Sequence, residues 1–411
     1  MQRLGNGHLI VVLVASVIFT IGDGSAQFIV APHLQGRGIS PGSLGPIVAG
    51  YSVAALAFRF VTGALYRPRT SRHLITAGTI ATIAGLLVTA QATSPAILTA
   101  AVAAHGAGFG IVSTGVLAAV MDMRRGTNAG VAMGIYTGVI GAGYAIANFL
   151  GGVLADAFGT AGTIRLTAIL PTVAWVLLFP ALSALRTMPE DRRVNTGPVG
   201  ERRRVFGPAM FRVGPLVWLA FFCGLHVNLL SGVLSTFFPL YGLAIGLTFT
   251  QIGVLSGISS AVSSGVRFAS GAIFVRVRYR PTLPWMVALG SLGTALFAAP
   301  RPTFWLLTVA YIAVGVSRGV LRVASSALVM DGSSSDDGSR GPATGLYLAG
   351  LDVGRIVAPI VGGVGVQLLG YEYMFLMSAF LIPAVFYVFY FRLLREERRH
   401  DDRSGGARGS T

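Results

Sequence analysis

The chain has 411 residues, of which 53% are hydrophobic and only 11% charged, and its mean hydropathy is +0.71. An average soluble domain carries about 25% charged residues, so an ordinary soluble enzyme, a disordered chain and a disulfide-stapled secreted module are excluded, which leaves a polytopic helical membrane protein. The net charge is +16 and all 31 basic residues are Arg, a balance that in a soluble protein would suggest nucleic acid but in a membrane protein reads first as loop charge that sets topology.

A membrane-crossing helix needs about 20 apolar residues. The sequence predicts twelve, over 8–31, 43–66, 73–91, 97–121, 129–153, 164–185, 213–240, 250–274, 282–299, 303–330, 342–369 and 371–394. The fold class is therefore an all-α membrane protein. The longest polar stretch, Arg186 to Arg212, spans 27 residues, too few for a soluble catalytic or regulatory domain, which needs about 40–50. The first apolar run continues past Gly22-Asp23-Gly24 into more apolar residues, so it reads as a first span and not as a cleaved signal. The charged, Gly- and Ser-rich end from 395 to 411 reads as a disordered tail. The lone Cys223 cannot form an internal disulfide.

Arg placement orients the chain. Twenty-three of the 31 Arg fall in the two termini and in the loops on one side, whereas the other side has only Arg37, Arg165 and Arg301. Both termini are thus expected in the cytoplasm of a cell-membrane protein, with the Arg-rich face against anionic lipid headgroups. The chain also repeats after about 208 residues. Gly38, Gly45, Arg59, Phe60, Gly63 and Ala64 return as Gly246, Gly253, Arg267, Phe268, Gly271 and Ala272, and Val120-Met121-Asp122 returns as Val329-Met330-Asp331. Gly143, Gly151 and Gly152 on helix 5 are matched by Gly354, Gly362 and Gly363 on helix 11. The division expected is a six-helix half over 1–186, a cytoplasmic linker over 187–212 and a second half over 213–394. In such a pattern the substrate site lies near the midplane between the halves, and one half rocks on the other.

With these residues in view, nearly the whole chain resembles the major facilitator superfamily. The family's signature between helices 2 and 3 runs here from Gly63 to His73, with Arg67 at the position of the family's Asp and Arg69 and Arg72 as its basic part. The resemblance implies that Arg69 and Arg72 pair with Asp122 at the cytoplasmic end of helix 4, echoed by Asp331 with Arg276 or Arg278. The helix 4 signature survives weakly around His105-Gly106, without its Arg. The helix 5 signature of the exporter branch reads Gly143 to Gly152 without its Pro, and helix 11 keeps Pro359. The resemblance is to drug or metabolite exporters coupled to protons.

Ionisable groups at bilayer depth are costly and mark function. They are Asp23 and Asp352 against Arg59, Arg267, Arg318, Arg322 and Arg355. Asp23, between two glycines of helix 1, is the expected proton carrier; the alternative is a structural ion pair with Arg318 or another cavity base. Arg59 and Asp352 sit at depths that differ by about 3 Å at 1.5 Å per residue. Helices 2 and 11 are neighbours in the family, so the two are expected to pair across the halves. Arg267 has no acid at its depth on helix 5, and helix-end carbonyls or Asn148 are its expected partners. Arg318 and Arg322 share one face of helix 10, and Arg318 near mid-depth is the foremost candidate for substrate contact. With Arg355 they favour an anionic, zwitterionic or polyol-like substrate over a simple cation. His105, His226 and Asn228 are further cavity candidates, with a satisfied structural role as the alternative for each His. His33 and His73 read as loop residues, and nothing spaces the His as a metal site. Gly126, Gly130, Gly134 and Gly138 read as a packing stripe against helix 8. Tyr136, Tyr144, Trp218, Phe222 and Tyr311 could line an amphipathic cavity.

The reading is a secondary transporter, a proton-coupled exporter of a small organic compound that acts as a monomer and without cofactor, metal or nucleic acid. Its rivals are an uptake symporter or facilitator of the same fold, and a non-transporting receptor or lipid-handling protein. An intramembrane enzyme would need a nucleophile-base or metal constellation, and none is seen. The absence of a G-x-x-x-x-G-K-[ST] loop excludes ATP drive within this chain.

Overall fold

The computed structural model describes residues 6–123, 129–185, 214–276, 279–332 and 337–408, without the side chains of 129–135, 270–276, 337–342 and 396–408. Among the described residues there are twelve α-helices and one short 3-10 turn. The helices are α1 (Asn6–Gly36), α2 (Pro41–Leu65), α3 (Ser71–Gln91), α4 (Pro95–Met123), α5 (Ala129–Thr167) and α6 (Ile169–Leu185), followed by α7 (Pro215–Ala244), α8 (Phe249–Arg276), α9 (Tyr279–Ala295), α10 (Phe304–Gly332), α11 (Asp337–Leu369) and α12 (Tyr371–Arg408). Eleven stretches are long and apolar enough to cross a membrane. One of them, Tyr136–Leu185, is 50 residues long, which at 1.5 Å per residue is about 75 Å against a hydrocarbon core of about 30 Å. Gly159 interrupts it with φ 69° and ψ 172°, a backbone conformation that only glycine adopts without strain.

Two expectations change here. The fifth span does not stop at 153: helical structure runs on through the expected loop, and the break lies at Gly159. The segment from 395 is not irregular, because α12 continues to Arg408. Its Arg395-Glu396-Glu397-Arg398-Arg399 run consists of strong helix formers, which outweighed the polar composition used to read it as a tail. A smaller change concerns His33. It lies within α1 and is buried, with Nδ1 3.0 Å from Thr160 Oγ1 and Nε2 3.0 Å from the Thr89 carbonyl.

Packing partners recur with an offset of six helices. The α1 helix packs on α5 as α7 packs on α11; α2 packs on α4 as α8 packs on α10; α3 packs on α4 as α9 packs on α10. The α5–α8 and α2–α11 contacts exchange under the same offset. The turns after α1 and α7 correspond too: Gly38 and Gly246 have φ of 81° and 87°. In each turn the N–H three residues beyond the last helical position reaches back into the final turn, Ile39 to the Leu34 carbonyl and Leu247 to the Gly242 carbonyl, so that helix-end carbonyls are satisfied.

The glycine motifs of α5 and α11 explain how closely these helices meet. Gly143 and Gly151 face Thr20 and Ser25 of α1, and Gly354 and Gly362 face Leu225 and Phe237 of α7. The last glycine of each motif points elsewhere: Gly152 lies against the Phe249 carbonyl at the start of α8, and Gly363 against the Pro41 carbonyl at the start of α2. Gly45 of α2 meets the Pro359 carbonyl, and Gly253 of α8 meets the Asn148 carbonyl. Any side chain at these positions would collide with backbone. This end of the bundle, where α1 turns into α2 and α7 into α8, is thus closed backbone to backbone.

Asp156 adds a polar contact at the same end. Thr248 and Gln251 form a capping box at the start of α8, with Thr248 N donating to Gln251 Oε1 at 3.0 Å and Gln251 N to Thr248 Oγ1 at 3.2 Å. The N–H groups of Phe249 and Thr250 are left over, and they donate to the two carboxylate oxygens of Asp156 on α5, at 3.0 and 2.8 Å. The equivalent place on α11 is Gln367, whose amide oxygen lies against Gly42 of α2.

Candidate functional site

A cavity of about 380 Å³ lies among α1, α2, α4, α5, α7, α8, α10 and α11. Its wall carries Gln27, Tyr51, His105, Tyr144, Asn148, Asn228, Arg267, Arg318, Arg322, Arg355 and Pro359, and several serines of α7 and α8. The volume is within the range of about 300–1,000 Å³ typical of small-molecule sites.

Asp23 is fully buried behind this wall. It follows Gly22, which packs on Leu170 and Pro171 of α6, and precedes Gly24, which packs on Ala147 and Tyr144 of α5, so α1 sits close to both helices at this depth. Four side chains converge on the carboxylate. Tyr51 OH donates to Oδ1 at 2.7 Å, Tyr144 OH to Oδ2 at 3.2 Å and Gln27 Nε2 to Oδ2 at 2.5 Å. His105 Nε2 lies 2.9 Å from Oδ1. The partner of Asp23 is therefore His105, not Arg318. Gln27 also faces the other way: its Nε2 is 2.9 Å from Tyr51 OH, and its Oε1 accepts from Arg355 Nη2 at 3.3 Å. Arg355 lies 6.0 Å over the Tyr51 ring. One amide thus joins the α1 acid to the α11 guanidinium.

The α10 pair is arranged differently. Arg322 Nη2 donates to Asn228 Oδ1 at 2.7 Å. Asn228 is oriented by its own Nδ2, which donates to the Leu351 carbonyl at 2.7 Å. Arg318 lines the cavity with its Nε buried and without a hydrogen-bond partner among the described residues. Arg267 donates to the carbonyl and hydroxyl of Ser263, one turn back, at 3.2 Å each, and Asn148 donates to Ser260 Oγ at 3.2 Å. Arg59 and Asp352 come together with Nη1 and Oδ1 3.6 Å apart, and Arg59 also lies 5.7 Å over the Phe109 ring.

Other expected positions fall elsewhere. His226 is buried outside the cavity wall, and neither ring nitrogen has a hydrogen-bond partner among the described residues. It and Asn228 are two residues apart, about 200° around a helix, so one faces the cavity and the other faces away, toward Ser317 and Gly290. Trp218 and Phe222 pack with Phe221, and Phe222 with Phe389, and not at the cavity, whereas Tyr136, Tyr144 and Tyr311 do line it. Asp122 accepts the Tyr66 hydroxyl at 3.0 Å, and Arg72 lies 4.3 Å over the Phe179 ring. Arg69 is near the same exposed turn, and Gly63 has open space around it. Gly138 faces Phe268 of α8. Gly126 and Arg278 lie outside the described residues, and the surroundings of Gly130, Gly134 and Gly271 and the side chain of Arg276, with Arg278 the expected partner of Asp331, are likewise outside them. Sequence reasoning missed Gln27 and Tyr51 at the Asp23 cluster. The signal for Gln27 was its position four residues after Asp23, on one helix face.

The sequence profile of the Major Facilitator Superfamily matches residues 12–337 and 286–410. No curated protein matches the sequence. Among solved structures, the fold is similar to that of the nucleoside transporter NupG, with a TM-score of 0.75 and 14% identity over 92% of this chain and 97% of that one. A mutant form of the same transporter aligns with a TM-score of 0.72 and 13% identity over 93% and 98%.

Proposed function

The chain belongs to the major facilitator superfamily, and from that premise we propose that it is a proton-coupled secondary transporter that exports a small organic molecule by alternating access. Tyr136–Leu185 counts as two crossings on either side of Gly159, which makes twelve spans in two six-helix halves, 1–186 and 213–394. The Arg-rich face is cytoplasmic, both termini lie there, and the protein resides in the cell membrane. The glycine-lined closure at the α1–α2 and α7–α8 turns is then the outer gate, and the conformation faces inward.

The observation that carries the reading is the Asp23 cluster: a fully buried carboxylate behind the cavity wall that takes contacts from four side chains. A carboxylate is an acceptor only, and a protonated one must also donate. Uptake of one proton therefore obliges one of the four to accept instead, by a turn of Gln27, Tyr51 or Tyr144 or by a change of tautomer at His105. Because Gln27 also holds Arg355, a turn of its amide is felt on α11, across the interface that alternating access must move. A proton entering down about 180 mV would supply roughly 4 kcal/mol, enough for up to about a thousandfold gradient in a 1:1 exchange.

The test uses reconstituted protein with a metabolite extract on one side and an imposed pH gradient. Mass spectrometry of the other side identifies what moves. Asp23→Asn should abolish gradient-driven movement and leave binding of the identified compound intact. Gradient-driven movement at the wild-type rate in Asp23→Asn would sink the proposal. A second reading, uptake of an anionic or polyol solute, is favoured by the guanidinium and hydroxyl groups of the wall and fits the likeness in fold to a nucleoside transporter. Accumulation rather than extrusion in oriented liposomes would select it.

A further inference from the structure

Three polar atoms of the cavity wall are buried without a hydrogen-bond partner among the described residues: Arg318 Nε, Arg322 Nε and the Ser264 hydroxyl. Buried N–H groups in folded proteins are nearly always paired. Two guanidinium donors and a hydroxyl left over on one wall therefore mark a place where an acceptor is missing. Charge points the same way. Arg318, Arg322 and Arg355 all line the cavity, and the membrane-depth acids are already engaged, Asp352 by Arg59 and Asp23 by His105. Arg355 is held by Gln27 and the face of Tyr51, and Arg322 by Asn228. None of these partners is an anion. Positive charge that lacks a counter-charge in a low-dielectric site is costly, and an incoming oxyanion would offset it. The planar guanidinium fork suits a carboxylate or a phosphoryl group, to which it can donate two parallel N–H bonds.

We propose that the cargo is an organic anion, and that its carboxylate or phosphoryl head binds Arg318 and Arg322 on α10 together with Ser264 on α8. Asn228 is a positioning residue here: its Nδ2 is fixed on the Leu351 carbonyl, so its oxygen holds Arg322 at the site. The neutral body of the cargo lies against Tyr311 and the remaining serines of the wall. The site is distinct from the Asp23 cluster, so that the cargo and the proton have separate seats joined through Gln27 and Arg355. The inference rests on reading this cavity as the transport site.

The test is binding to the purified full-length protein, followed by thermal melting and isothermal titration. The probes are inorganic phosphate, pyrophosphate, citrate and ribose 5-phosphate, with ribose and choline as neutral and cationic counterparts. The expected result is stabilisation by one or more of the anions and by neither ribose nor choline. Arg318→Gln should weaken the best anion at least tenfold, Arg318→Lys should restore part of the affinity, and Arg301→Gln, in an exposed connection far from the cavity wall, should leave it unchanged. If Arg318→Gln fails to fold, the Arg318→Lys and Asn228→Ala variants carry the comparison, each with a loss of several-fold. The proposal is overturned if none of the four anions binds, if ribose or choline binds as well as they do, or if anion affinity is the same without the Arg318 guanidinium. Proton coupling is read separately, in the Asp23→Asn liposome assay. A protein that responds to a pH gradient but is blind to anions would refute this inference alone.

Discussion

Replacing Asp156 with Ala removes both acceptors that α5 offers to the first turn of α8. The carboxylate takes the N–H groups of Phe249 and Thr250 at 3.0 and 2.8 Å, two of the four donors that every helix start leaves without intrahelical partners. Asp156 is exposed, so water can substitute for it and salt screens its charge. Loss of a side-chain cap costs about 0.5–2 kcal/mol, and the capping box of Thr248 and Gln251 remains in place, which keeps α8 itself intact. The cap joins two helices that belong to different halves on the proposed reading, so the loss should fall on the conformation with this end closed. A change of about 0.5–2 kcal/mol moves a two-state equilibrium roughly two- to thirtyfold. The assay exploits the single cysteine, Cys223, which is buried in α7. In a Cys223→Ser background, Ser231→Cys places one thiol on the cavity wall. Its labelling by a membrane-impermeant maleimide from the outer side should accelerate about two- to thirtyfold in Asp156→Ala. Asp156→Asn, which keeps one acceptor and loses the charge, should fall between. An unchanged labelling rate in a well-folded Asp156→Ala protein would show that this contact does not hold the gate.

Two more outcomes concern stability. The Arg59–Asp352 pair is partly exposed, at 34% and 23% of the side chains, and its atoms are 3.6 Å apart, so its coupling should be modest. A double-mutant cycle with Arg59→Gln and Asp352→Asn, read by thermal melting, should give about 1 kcal/mol; strict additivity would refute a direct interaction. His226 is buried with both ring nitrogens unpartnered among the described residues, and leaving such a group unsatisfied costs about 1–3 kcal/mol. His226→Leu should therefore raise the melting temperature and leave anion binding intact, whereas a lower melting temperature would mean that the imidazole has a partner in solution.

The spans were legible because apolar runs of membrane length are the strongest one-dimensional signal a sequence carries. The meeting of Arg59 and Asp352 was legible for a related reason: depth along a helix is a linear coordinate, and only the choice of neighbouring helices had to come from the family resemblance. Azimuth was harder. His226 and Asn228 both looked like cavity residues, yet a separation of two turns one of them away. The Asp23 cluster required side chains from α1, α2, α4 and α5 to be placed at one height, and Tyr51 has no sequence feature that distinguishes it from a lipid-facing tyrosine. Asp156 escaped attention because it lies where a loop was expected, and its partners are backbone N–H groups, which leave no trace in residue identity. Of the charge network implied by the resemblance, the described side chains show a tyrosine on Asp122 and an aromatic ring under Arg72.

The closure at the α1–α2 and α7–α8 turns is built from glycines against carbonyls at Gly45, Gly152, Gly253 and Gly363. Such contacts have no χ angles to freeze, whereas an Arg held in one geometry gives up about 2 kcal/mol of rotamer freedom. Opening and closing that end therefore releases and consumes almost no side-chain entropy. The Arg59–Asp352 contact between α2 and α11, by contrast, carries that cost each time it forms. Warming the protein should accordingly loosen the two contacts unequally, with the side-chain pair yielding first and the backbone closure keeping its seal.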